Sequence, residues 1–164
     1  MGYDDKAFQA AEKLLKALNE KGLTLATAES CTGGMIGAAL TAISGSSAHY
    51  RSGIISYAND VKIKAVGVPS EIIEKYTEVS AECAKAMAVG ISEKLSADCG
   101  LSTTGYAGPV GGTPENPVGT VFIGAKTKDE VRVIRLTENL GRQNIREKAT
   151  LKALSLITEM LKGR

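Results

Sequence analysis

The stretch Thr24-Leu25-Ala26-Thr27-Ala28-Glu29-Ser30-Cys31-Thr32-Gly33-Gly34 decides how the rest of the chain is arranged. Its first half, with a buried leucine and small residues, predicts a short strand over residues 23–28. Two glycines then release the chain into Met35-Ile36-Gly37-Ala38-Ala39-Leu40, an apolar and Ala-rich segment that predicts a helix to about residue 43. Ser30 is therefore predicted to lie on a strand-to-helix turn.

A serine on such a turn has two interpretations. Free N–H groups at the start of a helix favour negative charge, and attack of a hydroxyl on a carbonyl creates an oxyanion. Ser30 is therefore a candidate nucleophile. The alternative is that Ser30 or Thr32 only caps the helix, and the motif taken alone favours the cap.

The overall composition is that of a globular protein and does not favour a nucleic-acid-binding or membrane protein. A chain of 164 residues is long enough for a full core, and we predict a single domain over residues 1–164. Hydrophobic residues make up 43% and charged residues 23%, as in ordinary globular proteins. The net charge of +2 gives no argument for a nucleic-acid or membrane partner. No apolar run approaches the roughly 18 residues of a membrane span and no leader pattern opens the chain, so we expect a cytoplasmic protein.

The number and spacing of the cysteines and histidines argue against a zinc site and against a disulfide scaffold. Cys31, Cys83 and Cys99 lack CxxC spacing, and His49 is the only histidine, so neither a zinc site nor a disulfide scaffold is indicated. A Ser-His-Asp triad would have to use His49, which lies in a Ser/Gly loop. His49 is therefore the only histidine available as a general base for Ser30, which leaves few candidate bases.

Periodicity and turn residues predict the remaining elements. The first predicted helix covers residues 4–20, with Phe8 and Leu14 facing inward. Further helices are predicted for a short segment that carries Lys62, for 71–75, from Ser80 to about Leu95, and for 144–162. Strands are predicted over 52–57 (buried), 99–105, 118–126 and 130–136, the last two as a hairpin. This order predicts an α/β fold, a three-layer α/β/α sandwich with a mixed central sheet. Ligands bind such sheets at strand ends, where the loops after Ala28, Tyr57 and Gly105 are expected to converge.

Four collinear motifs resemble one known family. They are Ala28-Glu29-Ser30-Cys31-Thr32-Gly33-Gly34, Tyr57-Ala58-Asn59-Asp60-Val61-Lys62, Gly105-Tyr106-Ala107-Gly108-Pro109 and Pro117-Val118-Gly119-Thr120-Val121. From about Leu23 to the final helix the chain resembles the CinA C-terminal domain family, which includes PncC-type nicotinamide-nucleotide amidases. The resemblance implies a Ser/Lys amidohydrolase that converts nicotinamide mononucleotide and water to nicotinate mononucleotide and ammonia. It implies no metal and no organic cofactor.

The resemblance assigns Ser30 as nucleophile and Lys62 as general base. A lysine accepts a proton only when neutral, so its pKa must fall from about 10.4 towards 7–8 by burial or a positive neighbour. The alternative for Lys62 is a solvated helix lysine, as we expect for Lys64. Tyr57 is expected to hydrogen-bond the dyad, stack on the pyridine ring, or simply line the rim. Cys31, although a better nucleophile in isolation, is expected to pack beneath Ser30.

The remaining site predictions concern the oxyanion and the substrate. The backbone N–H groups of Thr32, Gly33 and Gly34 are the expected oxyanion hole.

Thr104, Gly105 and the loop from Gly108 to residue 112 are expected to allow close approach of the mononucleotide. Arg142 and Arg146, four residues apart on one helix face, are expected to pair with its phosphate, or else to form a helix-surface pair.

Three questions stay open at the level of sequence. Glu29 either orients Lys62 or caps the helix, and Tyr106 stands where the family usually has a small aliphatic residue. The Ala-rich helices suit a homo-oligomer interface and suit tight internal packing equally well. A non-catalytic nucleotide-binding or protein-interaction module that keeps the fold is the alternative to an enzyme.

Overall fold

The computed structural model describes residues 5–164, so Asp4, the predicted first residue of the first helix, lies outside the described residues. The helices are α1 (Asp5–Lys21), α2 (Met35–Thr41), α3 (Asn59–Val61), α4 (Ser70–Tyr76), α5 (Ala81–Lys94) and α6 (Arg142–Leu161). A π-helical turn, Lys62–Val66, continues α3. The strands are β1 (Leu25–Glu29), β2 (Tyr50–Ile55), β3 (Cys99–Gly105), β4 (Thr120–Lys126) and β5 (Val131–Thr137).

The five strands form one mixed sheet in the order β2-β1-β3-β4-β5. β1 pairs in parallel with both β2 and β3, whereas β4 is antiparallel to β3 and to β5. Successive side chains of a strand point to opposite faces. Leu25 accordingly packs with α1, α2 and α6 on one face, and Ala26 with α5 and the π-helical turn on the other. The predicted three-layer sandwich with a mixed sheet is confirmed.

Strand β2 differs from its prediction as a buried strand. Among the described strands it lies at the edge of the sheet and pairs with β1 alone, and it is largely exposed, with Ile55 at 56%. Its apolar residues resemble those of a buried strand, but within residues 5–164 no strand pairs with its outer side. Local sequence does not reveal that a strand lacks a neighbour. The strand also ends at Ile55, so that Tyr57 lies in the following loop.

Two helices differ in detail from the pattern. Phe8 of α1 is 38% exposed because the buried strip of that helix runs through Ala7, Ala11 and Leu14. Helix α6 begins at Arg142, two residues before the predicted start, directly after Gly141 with its positive φ of 80°. Leu95 ends α5 as its C-cap.

The strand order determines where a ligand can bind. Because β1, β2 and β3 are parallel, their carboxyl ends lie at one edge of the sheet. The crossover from β1 to β2 runs through α2 on one face, and the crossover from β2 to β3 runs through α4 and α5 on the other. The chain therefore diverges at the end of β1, where open α/β sheets form a crevice.

Candidate active site

A cavity of about 300 Å³ occupies this crevice. That volume is at the lower end of the roughly 300–1,000 Å³ typical of small-molecule sites. The predicted site residues among those that line it are Ser30, Tyr57, Lys62, Thr104, Gly105, Gly108 and Arg142. Larger concavities occur elsewhere, such as one of about 840 Å³ near the chain's C-terminus, but the ionisable side chains lining it are exposed.

The structure brings Ser30 and Lys62 together. The Lys62 Nζ lies 3.2 Å from the Ser30 Oγ and 3.3 Å from the backbone carbonyl oxygen of Tyr57. Ser30 is 7% exposed and Lys62 only 1%, so both polar atoms are largely removed from water. Lys64, by contrast, has a side chain that is 79% exposed and lies 3.8 Å from the Asp60 carboxylate.

Packing of the π-helical turn against α5 explains the burial of Lys62. A side chain at Gly90 of α5 would collide with the carbonyl oxygen of Val66, so glycine permits this close approach. The turn thereby lies against the sheet with Val66 and Val68 fully buried. Lys62, at the first position of the turn, extends along this interior surface to the end of β1. Single π-helical turns of this kind occur frequently at functional sites.

Burial lowers the pKa of the Lys62 ammonium below its ordinary value, because desolvation penalises the charged form. Electrostatic interactions with Cys83, then Glu78, then Cys31 oppose this shift and raise the pKa, but each is a smaller effect than burial. A larger share of neutral amine than in a solvated lysine is the electrostatic condition for a general base.

Glu29 caps the helix that follows Ser30. Its carboxylate is 2% exposed and accepts hydrogen bonds from the Ile36 N–H at 2.9 Å and the Gly37 N–H at 3.1 Å. The Thr32 hydroxyl donates a third bond at 2.7 Å. Neither Ser30 nor Thr32 is the cap, and the open alternative for Glu29 is resolved in favour of capping. The N–H groups of Ile36 and Gly37, at the start of α2, are therefore bonded to Glu29 rather than free to stabilise negative charge on a substrate.

The expected oxyanion hole is also changed. The Gly33 N–H donates to the Ser30 carbonyl at 3.0 Å, so this amide closes the turn. For the amides of Thr32 and Gly34, no backbone acceptor is found within residues 5–164. These two groups remain the candidates for stabilising an oxyanion.

The two arginines of α6 have different environments. The Arg142 guanidinium lies at the cavity, where it donates to the Gly108 carbonyl at 2.8 Å and to the Tyr57 hydroxyl at 3.2 Å. Arg146 instead donates to the carbonyl of Cys31 at 3.0 Å and to that of Thr32 at 3.4 Å. Although four residues apart, Arg142 lines the cavity and Arg146 braces the turn that carries Ser30.

Tyr57 contacts Lys62 through its backbone rather than its ring. Its side chain is 62% exposed, and its hydroxyl accepts a hydrogen bond from Arg142 instead of bonding the dyad. The aromatic ring is therefore a wall at the cavity mouth. Of the alternatives stated above, the hydrogen bond to the dyad through the hydroxyl is not observed.

The residues expected to contact the mononucleotide make their observed contacts with other parts of the protein. The Thr104 hydroxyl donates to the Glu78 carbonyl at 2.6 Å. A Cβ at Gly105 would lie 2.5 Å from the carbonyl oxygen of Thr120, so this glycine is required by contact with β4. Gly108 has a φ of 89° and directs its carbonyl to Arg142. The three residues line the cavity, but their close approaches are to protein atoms.

The other candidate nucleophile and base lie in unsuitable surroundings. Burial raises the pKa of the Cys31 thiol to about 12, which disfavours the reactive thiolate. The His49 ring contacts the carbonyl of Leu23 and the side chain of Asn19, and it is not among the cavity residues. Over residues 5–164 no group of three or more His, Cys, Asp or Glu side chains could hold a metal ion.

Sequence reasoning missed two polar residues of the cavity, Asn59 and Glu78. Asn59 falls within the second motif and could have been found there. Glu78 lies in the irregular segment before α5, where only Ser80, the N-cap, gives a local signal. Tyr106 also lines the cavity and is half-buried.

Comparison with known proteins identifies close relatives. The family model for the CinA C-terminal domain matches residues 7–161. A CinA-like protein of Dictyoglomus thermophilum is 43% identical over 155 residues, covering 94% of this chain and 38% of that protein. A CinA-like protein of Citrifermentans bemidjiense is 45% identical over 150 residues, covering 92% of this chain and 36% of that protein. The chain thus spans less than two fifths of the length of these relatives.

Solved structures match over the whole length. The crystal structure of the competence/damage inducible protein CihA from Agrobacterium tumefaciens has a TM-score of 0.93 and 34% identity, covering 99% of both chains. In the part of the present chain that is described, no helix is long and apolar enough to cross a membrane.

Proposed function

The chain belongs to the CinA C-terminal domain family, and from its site we propose that it hydrolyses the carboxamide of nicotinamide mononucleotide. The products are nicotinate mononucleotide and ammonia. The observation that carries the proposal is the 3.2 Å separation between the Ser30 Oγ and a fully buried lysine amine.

In the first half of the reaction Ser30 attacks the carboxamide carbon. Its hydroxyl proton passes to the neutral Lys62 amine as the new C–O bond forms. The amide N–H groups of Thr32 and Gly34 stabilise the resulting oxyanion. The C–N bond then breaks, Lys62 returns its proton to the nitrogen, and ammonia leaves an acyl ester on Ser30.

In the second half a water molecule takes the place of ammonia. Lys62 accepts a proton from the water as its oxygen attacks the ester carbon, and the second tetrahedral intermediate expels the Ser30 oxygen. The proton on Lys62 restores the serine hydroxyl. The Tyr57 carbonyl, 3.3 Å from the Nζ, accepts an N–H throughout and keeps the amine aimed at Ser30.

Substrate binding uses the cavity mouth. Arg142 is exposed and retains N–H donors beyond the two it gives to the protein, so it is suited to pair with the phosphate. The exposed Tyr57 ring offers a flat apolar surface for the pyridine ring.

Ammonia release from nicotinamide mononucleotide by the purified protein tests the proposal. Ser30→Ala should abolish turnover without unfolding the protein, and Cys31→Ala should retain most of it. Lys62→Arg should be nearly inactive because a guanidinium does not deprotonate. Lys64→Ala is the matched control and should be mild, because that side chain is exposed.

The pH dependence gives a second measurement. Since burial lowers the Lys62 pKa, kcat/KM should fall as the pH drops through a value below that of an ordinary lysine. Binding of the mononucleotide without ammonia release would instead favour the non-catalytic module. Full activity of Lys62→Arg would exclude Lys62 as the base.

A further inference from the structure

Glu78 is an acidic side chain within an otherwise neutral and basic cavity. Among the described residues that line the cavity it is the only aspartate or glutamate. It is half-buried, and within residues 5–164 its carboxylate has no hydrogen bond and no salt bridge. A carboxylate held in a cavity without a partner is available to a ligand.

The backbone around Glu78 is held firmly in place. The Glu78 carbonyl accepts the Thr104 hydroxyl at 2.6 Å, and the Val79 carbonyl accepts the Asn116 side-chain amide at 3.1 Å. Thr77 has a φ of 71°, which is uncommon for a residue other than glycine, and its carbonyl accepts the Ser80 hydroxyl at 2.9 Å. Such strain persists where surrounding contacts enforce it, often at functional sites. Glu78 is therefore presented to the cavity by a fixed segment.

Glu78 and Arg142 reach the cavity from opposite layers of the sandwich. Glu78 precedes α5, which packs on one face of the sheet, whereas Arg142 opens α6 on the other face. The cavity thus has a negative and a positive wall. A ligand with a cationic ring and an anionic tail would have the complementary charge distribution.

We propose that Glu78 is a specificity-determining residue that recognises the positive charge of an oxidised pyridinium ring while Arg142 receives the phosphate. This inference rests on the function proposed above and narrows its substrate class to cationic pyridine nucleotides. Reduced forms, whose dihydropyridine ring is neutral, carry the same carboxamide and phosphate and are bound less well.

The charge of Glu78 reaches the interior of the cavity. It raises the pKa of Lys62 against the larger effect of burial, and it adds to the effect of burial in raising the pKa of Tyr106. Both of these side chains line the same cavity. A ring bound between them would lie within range of the carboxylate.

The test compares two ligands that differ in ring charge. Dissociation constants for nicotinamide mononucleotide and its 1,4-dihydro form are measured by calorimetry in a Ser30→Ala background, where turnover does not interfere. Glu78→Gln should weaken binding of the oxidised form about tenfold, as expected for loss of one partly screened charge pair. The reduced form should change by less than about twofold. Glu78→Asp should recover part of the loss.

Glu74→Gln is the matched control, because it removes the same charge from an exposed position on α4 outside the cavity lining. It should leave both constants unchanged. Equal weakening of the two ligands by Glu78→Gln, or no weakening of either, would overturn the inference while ammonia release still supported the amidase. If neither ligand binds and no ammonia is released, the proposed function fails and the inference fails with it.

Discussion

Replacing the buried carboxylate of Glu29 by an amide should destabilise the protein measurably. The carboxylate accepts three hydrogen bonds, from the Thr32 hydroxyl and from the N–H groups of Ile36 and Gly37. In Glu29→Gln one oxygen can keep the bonds from Thr32 and Ile36. The new NH₂ group then faces the Gly37 N–H, so that two donors oppose each other.

The magnitude follows from the unsatisfied donor. One charge-assisted bond is lost, two become neutral, and a part-buried N–H is left without an acceptor, which together cost about 2 kcal/mol. For a chain of this length each kcal/mol lowers Tm by about 2–4 °C, so Tm should fall by about 4–8 °C.

Urea and thermal unfolding, each followed by two spectroscopic probes to check two-state behaviour, measure this loss. Glu93→Gln, which changes an exposed glutamate near the end of α5, is the control and should remain within about 0.5 kcal/mol of the parent. A Glu29→Gln protein as stable as the control would refute the reasoning, since the carboxylate would then not be required as a cap.

Lys62→Met should be more stable than the parent at neutral pH, where burying the ammonium is most costly. The pKa of Lys62 is lower in the folded protein than in the unfolded chain, where it is about 10.4. Between these two values the unfolded chain binds more protons than the folded protein, so the free energy of unfolding of the parent rises with pH. Urea unfolding at several pH values should show this rise in stability in the parent but not in Lys62→Met. An equal rise in both proteins would mean that groups other than Lys62 cause the pH dependence. Arg142→Ala should lower the ratio of kcat/KM for nicotinamide mononucleotide to that for nicotinamide riboside about ten- to a hundredfold, the value of a charge-assisted phosphate contact. Arg146→Ala, which removes a brace of the Ser30 turn, should lower kcat for both substrates and leave the ratio unchanged, and a reversed outcome would exchange the two roles. Cys31 should resist alkylation by iodoacetamide at pH 8 in the native protein and react after unfolding, because burial raises the pKa of its thiol to about 12. Mass spectrometry measures the labelling, and rapid labelling of the native protein would contradict the burial of Cys31.

Local sequence was sufficient for the elements and for the turn that carries Ser30. The alternation from residue 23, the paired glycines and the Ala-rich run each act over a few residues, and these short-range preferences correctly predicted β1, the turn and α2. The parallel pairing of β1 with β2 and β3 follows from their helical crossovers, so the sheet edge at which the candidate site lies could also be predicted. The candidate dyad itself came from the resemblance of four motifs to a family, because a lysine in a charged segment carries no local sign of burial.

Tertiary structure decided which side chains are available for chemistry. Lys62 and Lys64 are two residues apart, yet one is buried beside Ser30 and the other is solvated. The difference arises because α5, far along the chain, packs against the π-helical turn. Long-range contacts likewise directed Arg146 to the Ser30 turn and Arg142 to the cavity, and they held Glu78 at its wall. The exposure and charge state of a side chain depend on which distant segments cover it, and no short window of sequence contains that information.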